Sequence, residues 1–300
     1  MNDELEQEIE AIIHGYNRRG LPEFEGYSPE EMRMILYDTF GERSPLHLNA
    51  LTTEDYRHSP MFNQVRYLAE IIIRSGELKL TAKGYLPPKI VEELYTQGFL
   101  KEELIEYKMT TVFREFDLKT IELARILLEL SGIIKKRHGK LSPTKAAEKV
   151  LADDHACFRR IFTTYTDTFY WPYLDGYTEN DIGKLGYGFS LILLSKYGGI
   201  KRSENFYSDR YFRAFPQLLA TVPKPIYGSA KDDARHAYIL RTFTRFLFYF
   251  GLVSLTEGKK YIEDLKIQKT DLFGRLISCD PPGSAEMLRD LQNIPPGEVN

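Results

Sequence analysis

The chain has 300 residues, 43% of them hydrophobic, with a formal net charge of −3. That content can bury one large core or two to three small ones. The near-neutral balance argues against a protein that is basic over its whole surface, leaving room only for a local basic patch. Two cysteines, Cys157 and Cys279, lie far apart and in no metal-ligand spacing, so they read as free thiols of a reducing compartment.

Residues 3 to 18 place Leu5, Ile9, Ile12 and Ile13 on one helical face. The stretch is acidic and has no basic lead into an apolar run, so no secretory signal is expected. Next, Ser28-Pro29-Glu30-Glu31 has the marks of a helix start. Ser28 suits the N-cap, Pro29 the first helical position, and Glu31 the reciprocal position of a capping box. That helix is expected to end near Gly41, and residues 42 to 60 read as an irregular loop crossed by a short extended piece.

A local pattern then recurs three times: amphipathic helix, Gly or polar turn, apolar extended stretch, and a Thr or Pro that starts another helix. The copies run from Arg66 to Tyr95, Glu122 to Leu151 and Thr242 to Ile277. In the first, Gly76 closes a helix, Leu78 and Leu80 alternate as in a half-buried strand, Thr81 is a cap, and Pro87-Pro88 opens the next helix. In the second, Gly132 ends a helix, and Ile133-Ile134 and Lys140-Leu141 are expected strands joined by the basic turn Lys135 to Gly139. In the third, Leu252 to Leu255 and Leu265 to Ile267 are strands joined by the turn TEGKKY, with Thr270 capping a last helix.

Residues 155 to 250 read as almost wholly helical. Many of the 20 Tyr and 18 Phe crowd there and are expected to fill its core. The lesser alternative is a stacking platform for bases or a ligand, against which stands the lack of regular interleaving with Lys or Arg. The longest apolar runs, Gly186 to Tyr197 and Phe246 to Leu255, are too short to span a bilayer. The tail from Asp280 to Asn300 reads as a mobile end with one short helix.

The segments YSPEEMRMILYDTF and LKLTAKGYLPPKIVEELY together resemble a signature of uncharacterised bacterial proteins, a Ser-Pro-Glu helix followed by Leu-Thr-x-x-Gly-x-Leu-Pro. The resemblance covers about the first hundred residues and implies no activity. The second and third copies resemble winged-helix domains, a shape used for both nucleic-acid and protein binding.

Three constellations are candidates for chemistry. The second copy carries Lys135, Lys136, Arg137, Lys140, Lys145 and Lys149 against one acid, Glu148, which suits phosphate contacts. The alternative is a Lys-rich hairpin tip that serves solubility. The helix before the hairpin offers Arg125 and two acids, a poor base-reading surface. Second, Asp154 and His155, with Asp232 and His236 one helical turn apart, could be metal ligands, or the Asp residues could cap helices. Third, Arg159, Arg160, Arg241 and Arg245 could make an anion pocket or pair with acids. No nucleophile elbow or phosphate loop is present, and Gly183, Gly186 and Gly188 are expected to allow close helix packing.

The resulting expectation is a mostly α protein with short β-hairpins, with winged-helix-like modules around a large helical middle. Residues 1–110 would hold the first copy, 111–154 the second, 155–240 the aromatic helices, 241–279 the third copy, and 280–300 the tail. The expected role is a non-enzymatic binding or scaffold protein of the bacterial cytoplasm, with no cofactor and with protein or nucleic acid as partner. The alternatives are a metal-dependent enzyme built on the Asp/His clusters and a self-associating structural protein.

Overall fold

The computed structural model describes residues 2–108, 112–173, 175–225, 228–256 and 265–284. Most of the turn TEGKKY and the tail beyond Ser284 lie outside the described residues. The chain is mostly α-helical with short antiparallel strands. The strands are β1 (Leu46–Leu48), β2 (Leu78–Lys79), β3 (Ile134–Arg137), β4 (Lys140–Pro143), β5 (Arg202–Ser203), β6 (Val253–Thr256), β7 (Lys266–Lys269) and β8 (Ile277–Cys279). The chain forms two compact units. One comprises residues 50–176 and 243–253, the other 1–49, 177–242 and 254–300.

In the unit built on residues 50–176, helix Pro60–Ser75 starts on Pro60 and stops at Gly76, whose φ is +68°. Its apolar face buries Phe62, Val65, Leu68, Ala69 and Ile72. β2 follows, then helices Pro88–Tyr95 and Lys119–Leu130, then the hairpin β3–β4. The three strands form one sheet in the order β2-β4-β3. The strand of the first sequence copy therefore pairs with the hairpin of the second, and the two copies contribute to one sheet instead of two modules.

The hairpin turn is shorter than the sequence suggested. His138 and Gly139 form it alone, with φ of +48° and +70°, the doubly left-handed pattern of a tight two-residue turn. Lys135, Lys136 and Arg137 are consequently strand residues whose side chains alternate between faces.

Aromatic packing completes this unit. Phe158 and Phe162 stack at 5.4 Å, Tyr165 and Phe246 at 5.3 Å, and Phe250 meets Phe162 edge-on at 5.1 Å. The Trp171 indole N–H donates to the Tyr165 carbonyl at 2.9 Å, so its one polar atom is satisfied in the core. Gly251, at φ +75°, lies where an added Cβ would sit 2.2 Å from the His58 carbonyl oxygen. Only glycine serves there, on both backbone and steric grounds.

In the other unit, Ser28 caps helix Pro29–Tyr37 with the full capping box. Its N–H donates to the Glu31 carboxylate at 2.8 Å, and Glu31 N–H donates back to Ser28 Oγ at 3.2 Å. Helix Tyr187–Tyr197 is buried along most of its length. A Cβ on Gly188 would lie 2.8 Å from the Ile35 carbonyl oxygen, so the glycine admits the close helix packing expected of it. Tyr211 and Tyr238 stack at 4.0 Å.

After helix Tyr187–Tyr197 come β5, helix Glu204–Ala214, helix Ala230–Tyr238 continuing into the π-helical Ile239–Leu247, then β6 and β7. The sheet order is β5-β7-β6. Both three-stranded sheets thus place their last strand between the other two, with the same succession of helices. β1 and β8 form a separate two-stranded sheet.

Candidate nucleic-acid interface

The alternation of β3 sorts the basic residues. Ile134 and Leu141 are buried, at 2% and 0% exposure, and mark the inner face of the sheet. Register pairs Lys136 with Leu141, Lys135 with Ser142, Arg137 with Lys140, and Lys79 with Lys140. Directly opposed residues of an antiparallel pair share a face. Lys79, Lys140 and Arg137 therefore form one cross-strand row on the outer face, with Lys135 two residues along from Arg137 on the same side. All four are exposed.

Such a row is electrostatically costly, because like charges directly opposite each other destabilise a sheet. Only partial relief comes from Glu77, which accepts from Lys140 Nζ at 2.6 Å. That hydrogen bond, followed by the charges of Lys140 and Lys135, holds the Glu77 carboxyl below its ordinary range.

Lys136 leaves the row. Its Nζ lies 3.4 Å from where a Cβ on Gly84 would be, over the turn that follows β2. Lys145 and Lys149 are exposed but lie beyond the sheet, Lys145 in the turn before helix Ala147–Leu151 and Lys149 within it. The structure thus brings Lys135, Arg137 and Lys140 together and separates the other three. Sequence reasoning missed Lys79, although its place between the buried Leu78 and Leu80 marked it as an outward strand residue.

Helix Lys119–Leu130, which precedes the hairpin, is not a groove-reading surface. Its residues from Thr120 to Leu128 are all buried except Ile126. The Arg125 guanidinium pairs with the carboxylates of Glu115 and Glu129, and Glu115 also accepts from Leu86 N–H. Tyr173 OH donates to Glu122 at 3.1 Å. Burial drives the Glu115 carboxyl above its ordinary range, against the opposing pull of Arg125.

The Asp/His clusters are occupied by local bonds. The Asp153 side chain accepts from Ala156 N–H at 3.0 Å and caps its helix. Asp154 is ion-paired with Arg66. The Tyr56 hydroxyl accepts from Leu51 N–H at 3.1 Å and lies at hydrogen-bond distance, 2.8 Å, from His155 Nδ1. Asp232 accepts from Ser229 Oγ at 2.6 Å at the start of its helix, and His236 is exposed. Asp154 and His155 belong to one unit, Asp232 and His236 to the other. Among the described residues, no three His, Cys, Asp or Glu side chains gather as a metal site requires.

Three of the four arginines donate to backbone carbonyls. Arg160 donates to the Ser131 carbonyl at 2.7 Å and Arg245 to that of Tyr173 at 3.3 Å. Arg241, fully buried, donates to the carbonyls of Thr178, Asn180 and Ile182 and to Asn180 Oδ1. These three guanidiniums fasten backbone. Burial pushes the Cys157 thiol up to about 12 and the Cys279 thiol up to about 11, so both stay protonated and unreactive near neutrality.

Residues 57–157 are similar to the Y4jL N-terminal domain, whose family model they match. The match encloses the first three-stranded sheet, its helices and the basic row. Neither a curated protein nor a solved structure matches the chain. No helix among the described residues is long and apolar enough to cross a membrane.

Proposed function

We propose that this chain is a non-enzymatic binding protein that engages the phosphate backbone of nucleic acid through the outer face of the sheet β2-β4-β3. The observation that carries this reading is the in-register row Lys79–Lys140–Arg137. A polyanion along it would relieve the repulsion that the folded protein otherwise sustains.

Helix, strand, helix, helix, strand, strand with the last strand in the centre is the succession of a winged helix, and both sheets fit it. In this reading the hairpin β3–β4 is the wing. The helix that would read bases is buried, so recognition works through charge and shape, and affinity is largely independent of sequence. The free thiols suit a bacterial cytoplasmic setting.

Fluorescence anisotropy with a labelled duplex across a salt series tests this. Four phosphate contacts imply a slope of about −3 to −4 in log K against log salt. A salt-independent signal, or no binding at low salt, would exclude it.

A further inference from the structure

Between the turn that follows β2 and the segment Arg114–Phe116 lies a cavity of about 580 Å³ lined by Thr81, Lys83, Tyr85, Leu86, Arg114 and Phe116 among others. Its rim is fixed by a closed turn. Thr81 N–H donates to the Tyr85 carbonyl at 2.8 Å, Tyr85 N–H returns to Thr81 Oγ1 at 3.1 Å, and Gly84 takes φ +82°. Its floor is fixed too, because Leu86 N–H is held by the buried Glu115, which Arg125 neutralises. This turn is the Leu-Thr-x-x-Gly-x-Leu-Pro stretch of the sequence, so the motif builds the wall of a cavity.

The chemistry of the lining is specific. The Tyr85 and Phe116 rings lie 6.0 Å apart, and Phe116 is 51% exposed. The Arg114 guanidinium stands 5.0 Å from the Phe116 centroid while its Nε pairs with Asp117 at 2.7 Å. Lys83 is exposed at the rim, and Lys136, which the register turns away from the outer face, reaches the same turn at Gly84. Neither lysine makes an ion pair among the described residues. Two aromatic rings, tilted 41° to each other, beside two lysines without an ion pair among the described residues suit a ligand that joins a planar ring to an anion. The volume is within the usual range for a small-molecule site.

We propose that this cavity binds a nucleoside phosphate, with its base against the Tyr85 and Phe116 rings and its phosphate at Lys83 and Lys136. The proposal rests on the nucleic-acid reading above and adds to it a stacking site for an unpaired nucleotide. The ligand is either one unit of a single strand or a free nucleotide.

The test uses the full chain with three probes: a labelled 12-nucleotide oligothymidylate, AMP by calorimetry, and the labelled duplex. Oligothymidylate and AMP are both expected to bind. Phe116→Leu keeps the apolar volume and removes the stacking face, and should weaken both about tenfold with duplex binding unchanged. Lys83→Gln, at an exposed position, should weaken both as well. Oligothymidylate binding that depends on Phe116, without AMP binding, would assign the site to single strands. Binding of both would admit the free nucleotide. Duplex binding that persists while neither substitution affects oligothymidylate or AMP would overturn the cavity and leave the basic row standing. AMP binding that depends on Phe116, with no duplex binding, would uphold the cavity and remove the basic row. Capture of a phosphotyrosine peptide that AMP cannot displace would overturn the proposal.

Discussion

Lys79 and Lys140 face each other as register partners across the antiparallel pair β2–β4. Arg137 opposes Lys140 from the other side. Like charges directly opposed in a sheet cost up to about 1 kcal/mol per pair. A row that served only the fold would be expected to alternate in sign. In the proposed role, this row would cost stability in the free protein and answer to an anionic surface.

Replacing Lys79 and Arg137 together by Gln should therefore separate binding from stability. Duplex affinity is expected to fall and the salt slope to shrink by about 2, one for each phosphate no longer neutralised. The melting temperature should stay level or rise. A fall in melting temperature with an unchanged slope would mean that the row is structural.

Arg125→Met should be severe for a different reason. It leaves the Glu115 carboxylate buried, with exposure of 0% for its side chain, and without its cation. Breaking a buried pair by removing one partner costs about 3–5 kcal/mol. Pairing it with Glu115→Leu should recover much of that loss in urea unfolding, since no unpaired charge remains. A mild effect of Arg125→Met alone would show that helix Lys119–Leu130 opens to water.

Arg241→Met should loosen the segment from Thr178 to Ile182, whose carbonyls this side chain holds. Hydrogen bonds from a charged donor are worth about 1.5–3 kcal/mol each in favourable settings. Amide exchange in that segment is expected to speed up well before the rest of its unit. Uniform exchange rates across the unit would contradict a local clamp.

Glu25 supplies a pH dependence. Burial pushes its carboxyl up, but Lys196 at 2.7 Å, Tyr197 at 2.6 Å and the Arg210 charge outweigh this and hold it below 4.5. A carboxyl depressed in the folded state gives stability that is present above the unfolded value and is lost as pH falls through the lower folded value. Glu25→Gln should thus cost about 1–2 kcal/mol at neutral pH. Its difference from the parent should shrink as pH drops below about 4.5. A difference constant with pH would show that the ion pairs contribute nothing.

Much of the local structure is legible in the sequence. Ser28, Pro29 and Glu31 announce a capping box because the bonds involved span only three residues, and Gly76 and Gly132 mark helix ends by the same local logic. What escapes is non-local. A two-residue strand such as Leu78–Lys79 carries too little pattern to reveal that it pairs with Leu141 and Lys140. A reading of three separate copies therefore misses that two of them share a sheet. A five-residue basic turn is expected from composition, although the His138-Gly139 pair alone can close the hairpin, and that expectation hides the alternation that parts Lys136 from Lys135 and Arg137. Arg125 gives no sign of its burial because Glu115 is ten positions away, outside any helical pairing distance.

The most direct measurement is the salt dependence of duplex binding by the parent chain beside the Lys79→Gln, Arg137→Gln double variant. Steep weakening with salt in the parent, and a slope shallower by about 2 in the variant, is the expected result. Equal slopes in the two proteins, or no binding by the parent at low salt, would contradict the assignment of the sheet face to nucleic acid.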